Sequence, residues 1–386
     1  MRGRIVTAVA LLATAATLCA GPARAAQVPT PVPAVGEGPQ DADERGLWMQ
    51  VEDAERRLKA SNFLVRDAEI NAYVRGVMCR TVGEAECARV RIYITRTPYF
   101  NASIAPNGMM QIWTGLLLRV RNEAQLAAVL GHEYAHFKER HSLQTFRSIK
   151  NKTNAMAWLS FVPFGALAQL GLLGSMFEFS RDMERAADKG SISALVAGKY
   201  DPMAASAIWS QLSAEYDATA AARKTKRRGE GGMFASHPPS LERMQALKAQ
   251  AEAVPHADGR ELGEERYRAA IARYWPDLID DQIKLNDFGG TEFLLGQLAS
   301  AGWNADLLFA RGELYRTRAA VGDFERAADF YRQSLAGGGP VEAHRGLGMA
   351  LLRAGQTVEG QSALKEYLRH RPEAKDHAMI KMLAGG

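Results

Sequence analysis

The sequence predicts an α+β chain, a mostly helical domain with a small β-sheet followed by an all-α domain of repeated helix pairs. Three observations predict it. Leu126, Val129, Leu130 and Phe137 recur at helical spacing around His132-Glu133-Tyr134-Ala135-His136. Upstream, Val90, Ile92 and Ile94 alternate with Arg89, Arg91, Tyr93 and Thr95, and Pro106-Asn107-Gly108 separates two further extended runs. Downstream, Gly312, Gly322, Ala327 and Tyr331 recur as Gly348, Gly355, Gly360 and Leu364, at spacings of 36, 33, 33 and 33.

The chain opens on Arg2 and Arg4, an apolar run from Ile5 to Leu18, and Ala23-Arg24-Ala25. That is the plan of a secretory signal peptide cut after Ala25, and it is too short for a membrane span. Leu18 stands where a lipoprotein signal needs a small residue, so Cys19 is not read as a lipidation site. Cleavage removes Arg2, Arg4 and Arg24 and lowers the formal charge from +5 to +2. A nucleic-acid partner thereby loses its electrostatic support. Cys79 and Cys87 remain as an even pair, which an oxidising compartment would join as a disulfide.

Residues 26–43 are rich in proline and glycine and read as a flexible leader. From Glu44 to about Arg80, Leu58, Phe63, Leu64, Ile70, Tyr73, Val74 and Val77 suggest two helices. The strand at Val90 to Thr95 and the hairpin of Phe100 to Ala105 with Met109 to Trp113 make a small sheet. An edge strand there would either pair with an extended substrate or serve structure alone. Asn122, with Gln125 three residues on, marks the start of the histidine helix.

Two histidines four apart project from one helix face and can offer both imidazoles to a single Zn²⁺. Glu133 then faces the open coordination position as a general base toward water. This makes residues 44–255 a zincin-type catalytic domain with one zinc ion per chain. A surface helix with incidental histidines would lack the apolar flanks. In Ser180 to Asp188, Glu184 and Asp188 stand four apart on a second helix. Glu184 can complete a His₂Glu set, and Asp188 can accept the free ring N–H of a ligand histidine. The competing reading is an exposed acidic–basic helix, since Arg181 and Arg185 alternate with the acids. His141 falls one residue short of the metzincin spacing and lacks that motif's glycine, so it is not taken as a ligand.

Ala155 to Phe177 carries no charge, but Pro163, Gly165, Gly171 and Gly174 interrupt it. It reads as a helical hairpin, packed on the catalytic helices or resting on a membrane surface, rather than a span. Arg223 to Arg228 is a basic run, a solvated loop or a contact to anionic lipid. His237, before Pro238-Pro239, is either a loop residue or a fourth ligand or transition-state contact of the zinc site. The 33-residue period and the Leu347-Gly348 step match tetratricopeptide repeats, placed within residues 256–386. Arg311 departs from that pattern at a usually apolar position, and helices from Glu264 to about Trp303 are expected to extend the array.

Taken together, Phe100-Asn101-Ala102, Pro106-Asn107-Gly108, Thr114-Gly115-Leu116-Leu117, His132 to His136, Glu184 to Asp188 and His237-Pro238-Pro239 resemble a zinc metallopeptidase family. It is the family of the CAAX prenyl protease and the heat-shock membrane protease HtpX. A signal peptide with C-terminal repeats is most similar to its soluble periplasmic, BepA-like branch. The resemblance implies a periplasmic endopeptidase with His132, His136 and Glu184 as ligands and Glu133 as base. It also implies that His237 occupies the fourth zinc position in a resting, self-inhibited state. The expected partners are unfolded or misassembled envelope proteins and, through the repeats, outer-membrane assembly machinery. The alternative is a non-enzymatic periplasmic chaperone or adaptor with a structural zinc site, but such a site has no use for Glu133.

Overall fold

The computed structural model describes residues 38–152, 179–225, 237, 241–256 and 259–386. Outside them lie the expected signal peptide of residues 1–25, most of the expected leader, the apolar stretch 155–177, and residues 226–228 of the basic run. Asp41 accepts from the N–H of Glu44 and so caps α1 (Ala42–Ala60). Ala42 and Asp43, read from sequence as the end of the leader, therefore belong to the first helix. Asp67 caps α2 (Ala68–Val82) in the same way. A short α3 (Glu84–Cys87) follows, and a disulfide joins Cys79 to Cys87 across that turn.

Strands β1 (Arg91–Thr95), β2 (Ala102–Ile104) and β3 (Met109–Trp113) form a sheet in the order β1-β3-β2. β2 and β3 make the expected antiparallel hairpin, while β1 runs parallel to β3. Gly108 has φ of 80°, and a Cβ there would lie 2.2 Å from the Arg89 carbonyl oxygen. Only glycine fits that turn. The free edge of β1 is covered at Val65, whose N–H donates to Ile94, leaving β2 as the outer strand.

Glu55 ties α1 to the sheet. Arg91 donates to both its oxygens at 2.8 Å, and the Tyr93 hydroxyl donates at 2.6 Å. Burial opposes its charge, but these donors hold its carboxyl down at about 2. A depressed carboxylate stabilises the fold above its unfolded pKa and loses that contribution as pH falls through the folded value. Thermal melts of wild type and Glu55→Gln should therefore differ near neutrality and converge between about pH 4.5 and pH 2. A gap independent of pH would show that Glu55 contributes through shape alone.

After α4 (Thr114–Arg119) comes the histidine helix, α5 (Glu123–Lys138), buried from Glu123 to Phe137. Asn122 accepts from the N–H of Gln125 at 2.8 Å. The Gln125 side chain reaches back to the N–H of Arg121 rather than to that of the cap. α6 (His141–Lys152), α7 (Arg181–Ala197), α8 (Ala204–Ala222) and α9 (Leu241–Glu252) complete the surroundings of α5. No described helix is long and apolar enough to cross a membrane.

The helices α10 (Glu264–Ile271), α11 (Trp275–Ile283) and α12 (Phe288–Leu298) were expected to extend the repeats. They instead bury Tyr267, Ile271, Leu278, Ile283 and Leu294 in the same core as α5. Buried Arg119 seals the junction, donating to Glu215 at 2.9 Å and to Gln282 at 2.9 Å. α13 (Ala305–Arg318) follows α12, and its Leu307, Ala310 and Leu314 join that core. The antiparallel pairs then run α13 with α14 (Asp323–Ala336) and α15 (Glu342–Arg353) with α16 (Thr357–His370), ending in α17 (His377–Leu383). Their period reflects close packing. The Tyr331 ring lies against Gly312 and Gly346, and Gly348 faces Gly360 and Leu364. Arg311 is accommodated by Glu292, 2.8 Å from its Nε, and by the Trp303 and Phe330 rings, each 4.5 Å from its guanidinium.

Candidate metal centre

The site forms where α5 and α7 approach closely. Small residues permit it: Gly131 faces Ala194, and a Cβ on Gly190 would lie 2.5 Å from the Ala135 Cβ. The Ser191 hydroxyl donates to the Ala128 carbonyl across the same seam. Ser180 caps α7, accepting from the N–H of Met183. That cap starts the helix where Glu184 and Asp188 face α5, while Asp182 and Arg185 pair on the solvent side. α7 is thus two-faced, which excludes the ordinary exposed acidic–basic helix.

His132, His136, Glu184 and His237 each present one donor atom, and the four atoms lie within 4.8 Å of one another. His132 Nε2 stands 3.1 Å from His136 Nε2 and 3.2 Å from His237 Nδ1. Glu184 Oε1 lies 2.7 Å from His237 Nδ1 and 3.4 Å from His136 Nε2. All four residues are buried. Donors set about 2.0–2.1 Å from a tetrahedral cation stand about 3.3 Å apart, so this spacing fits a metal. Hydrogen bonding alone gives three converging imidazoles no comparable reason to meet.

A histidine must be neutral to bind a metal, and burial pushes His136 well below its ordinary value. Burial opposes the charge of Glu184, but His237 beside it, with hydrogen bonds from His136 and His237, holds its carboxyl well below the usual range. Glu133 is 1% exposed and stands outside the donor set. Its Oε1 is 3.5 Å from His237 Nε2, and burial pushes its carboxyl above the ordinary value.

Asp188 Oδ1 lies 3.1 Å from His132 Nδ1, the ring nitrogen turned away from the cluster. His141, set aside as a ligand, has a different place. Its Nδ1 is 2.9 Å from Nδ1 of His136, so it meets that ring on its far side. Burial takes His141 down to about 4 and keeps it neutral. Phe179 stacks on the His136 ring, with centroids 4.0 Å apart.

Sequence reasoning missed Arg243 on α9. Its Nε and Nη2 donate to the two Asp188 oxygens, each at 2.7 Å, and its Nη1 lies 2.7 Å from Glu184 Oε2. Its guanidinium also covers the Trp209 ring at 4.7 Å. The available signal was charge: two buried acids on one face require a buried cation, and Arg181 and Arg185 face elsewhere.

A cavity opens beside His136, lined by Ile104, Ala105, Pro106, Phe137, Arg140 and Leu143. The end of outer strand β2 thus borders the donor cluster at His136.

Residues 65–251 match the model of peptidase family M48. The chain is 28% identical over 216 residues to the mitochondrial metalloendopeptidase OMA1 of Schizosaccharomyces pombe, covering 53% of this chain and 58% of that protein. It is 24% identical over 176 residues to a putative beta-barrel assembly-enhancing protease of Vibrio cholerae, covering 42% and 36%. It is 25% identical over 165 residues to the beta-barrel assembly-enhancing protease of Escherichia coli K12, covering 39% and 34%. The chain therefore spans little more than half of the first relative and about a third of the other two. The paired histidines and the buried glutamate lie inside the residues that match peptidase family M48, which the chain resembles over just under half of its length.

Proposed function

We propose that the chain is a zinc-dependent metalloendopeptidase of the bacterial periplasm that degrades misfolded or misassembled envelope proteins. The observation that carries this reading is a buried His–His–Glu–His donor cluster with a carboxylate, Glu133, beside it and outside it. Three imidazoles and one carboxylate suit zinc among the common divalent ions. His132, His136 and Glu184 hold it. When bound, zinc supplies Lewis acidity toward the scissile carbonyl and activates water.

Glu133 takes the water proton and passes it to the leaving amine. Asp188 and His141 fix the two ligand imidazoles from their far nitrogens, and Arg243 braces Asp188 and Glu184 together. An extended substrate pairs with β2, whose end borders the small cavity beside His136. The relatives named for β-barrel assembly support an envelope substrate. The helix pairs α13–α14 and α15–α16 act as tetratricopeptide repeats that dock substrates or outer-membrane assembly machinery. In this division the peptidase domain runs from α1 through α12, with α10 to α12 sharing the core of α5, and the helix pairs from Ala305 onward form the docking domain, with any membrane contact peripheral.

His237 restrains the enzyme by taking the fourth donor position, where its other ring nitrogen also faces Glu133. His237→Ala should raise basal cleavage of an unfolded protein while metal stays bound through three ligands. A transition-state donor would behave oppositely, its loss costing about 10²–10³ in rate. Cleavage assays with parallel metal analysis on that variant decide the point: a clear fall in rate with metal retained contradicts the restraint.

The enzymatic reading as a whole is tested by incubating the purified chain with an unfolded protein. Cleavage that a chelator stops and zinc restores supports it; no cleavage by metal-loaded wild type or His237→Ala contradicts it.

A further inference from the structure

A second cluster of metal-type donors lies far along the chain from the peptidase centre. His344 sits in α15, and Glu366 and His370 stand one turn apart near the end of α16. One donor atom from each lies within 4.8 Å of the others. The two imidazole rings are nearly parallel, 14° apart in plane with centroids 6.0 Å apart. Glu366 Oε1 is 3.0 Å from His370 Nε2, and Arg369 donates to the same oxygen.

The chemistry of this set is specific. Glu366 and His370 use the i, i+4 spacing that brings side chains together on one helix face, and His344 approaches from the antiparallel partner. Two imidazoles and a carboxylate suit zinc, nickel or copper, and they discriminate against magnesium and calcium, which prefer oxygen. A surface acidic pair would need no histidine from a second helix. The cluster is half-buried to exposed, so a cation reaches it directly and keeps water on its remaining positions.

We propose that His344, Glu366 and His370 form a second divalent transition-metal site, which clips α15 to α16. This site stands independently of the peptidase reading. It binds more weakly than the buried four-donor cluster, because it offers three donors, one shared with Arg369, and stays open to water. The bound ion favours the folded pair over the unfolded chain, as any ligand specific for the native state does.

The test is a zinc titration of the purified full chain against a competing chromophoric chelator, repeated with nickel. Wild type should bind two zinc ions per chain, the second at least tenfold more weakly. The His344→Ala/His370→Ala pair should lose only the weak ion, while His132→Ala/Glu184→Ala should lose only the tight one. His377→Ala, a control on the next helix, should keep both. Zinc added beyond the first equivalent should raise the melting temperature of wild type and not of the His344/His370 variant. If that variant folds poorly by circular dichroism, Glu366→Gln supplies the same comparison and should weaken the second ion at least fivefold. One ion in wild type, or an undiminished second ion in these variants, would overturn the proposal.

Discussion

Replacing Glu133 with glutamine is expected to lower cleavage of an unfolded protein by about 10²–10⁴-fold with metal content unchanged. The amide has the size of the carboxylate but cannot accept the proton. Glu133 lies outside the four donors, so the metal position survives its replacement. Burial raises the cost of a carboxylate here, and neutralising it should not destabilise the fold. Metal analysis and cleavage on one preparation give the answer. Loss of metal along with activity would make Glu133 a ligand and require another base.

Glu184→Ala should be more damaging, removing both metal and activity. The same carboxylate is an ion-pair partner of Arg243, and both side chains are less than a tenth exposed. Removing one member of a buried pair typically costs about 3–5 kcal/mol, because the other charge is left behind. Asp188 retains Arg243 and softens that loss. Urea unfolding with metal analysis tests this. A variant that binds zinc as tightly as wild type would remove Glu184 from the ligand set.

These expectations could be framed early because the chemistry resides in short segments with fixed geometry. His132, Glu133 and His136 share one helix, so their spacing alone places them. Glu184 and Asp188 share another, and the small residues Gly131 and Gly190 that bring the two helices together are visible only once packed. The hairpin at Gly108 follows from a local turn, but the parallel pairing of β1 with β3 joins segments that no turn connects. Arg243 and His141 illustrate the remainder. Neither fits a ligand spacing, and each touches a residue that was singled out from sequence. The helices Glu264 to Leu298 carry apolar faces equally suited to a repeat neighbour or the peptidase core, and only the packed chain distinguishes them.

The most direct test of the metallopeptidase account is cleavage of a permanently unfolded protein by His237→Ala, alone and combined with Glu133→Gln, before and after chelation. The account predicts cleavage by the single variant that stops with chelator and returns with zinc. It predicts cleavage at least 10²-fold lower in the double variant at every metal concentration. Equal cleavage by the two variants, or cleavage indifferent to chelator, would contradict a metal-dependent centre with Glu133 as its base.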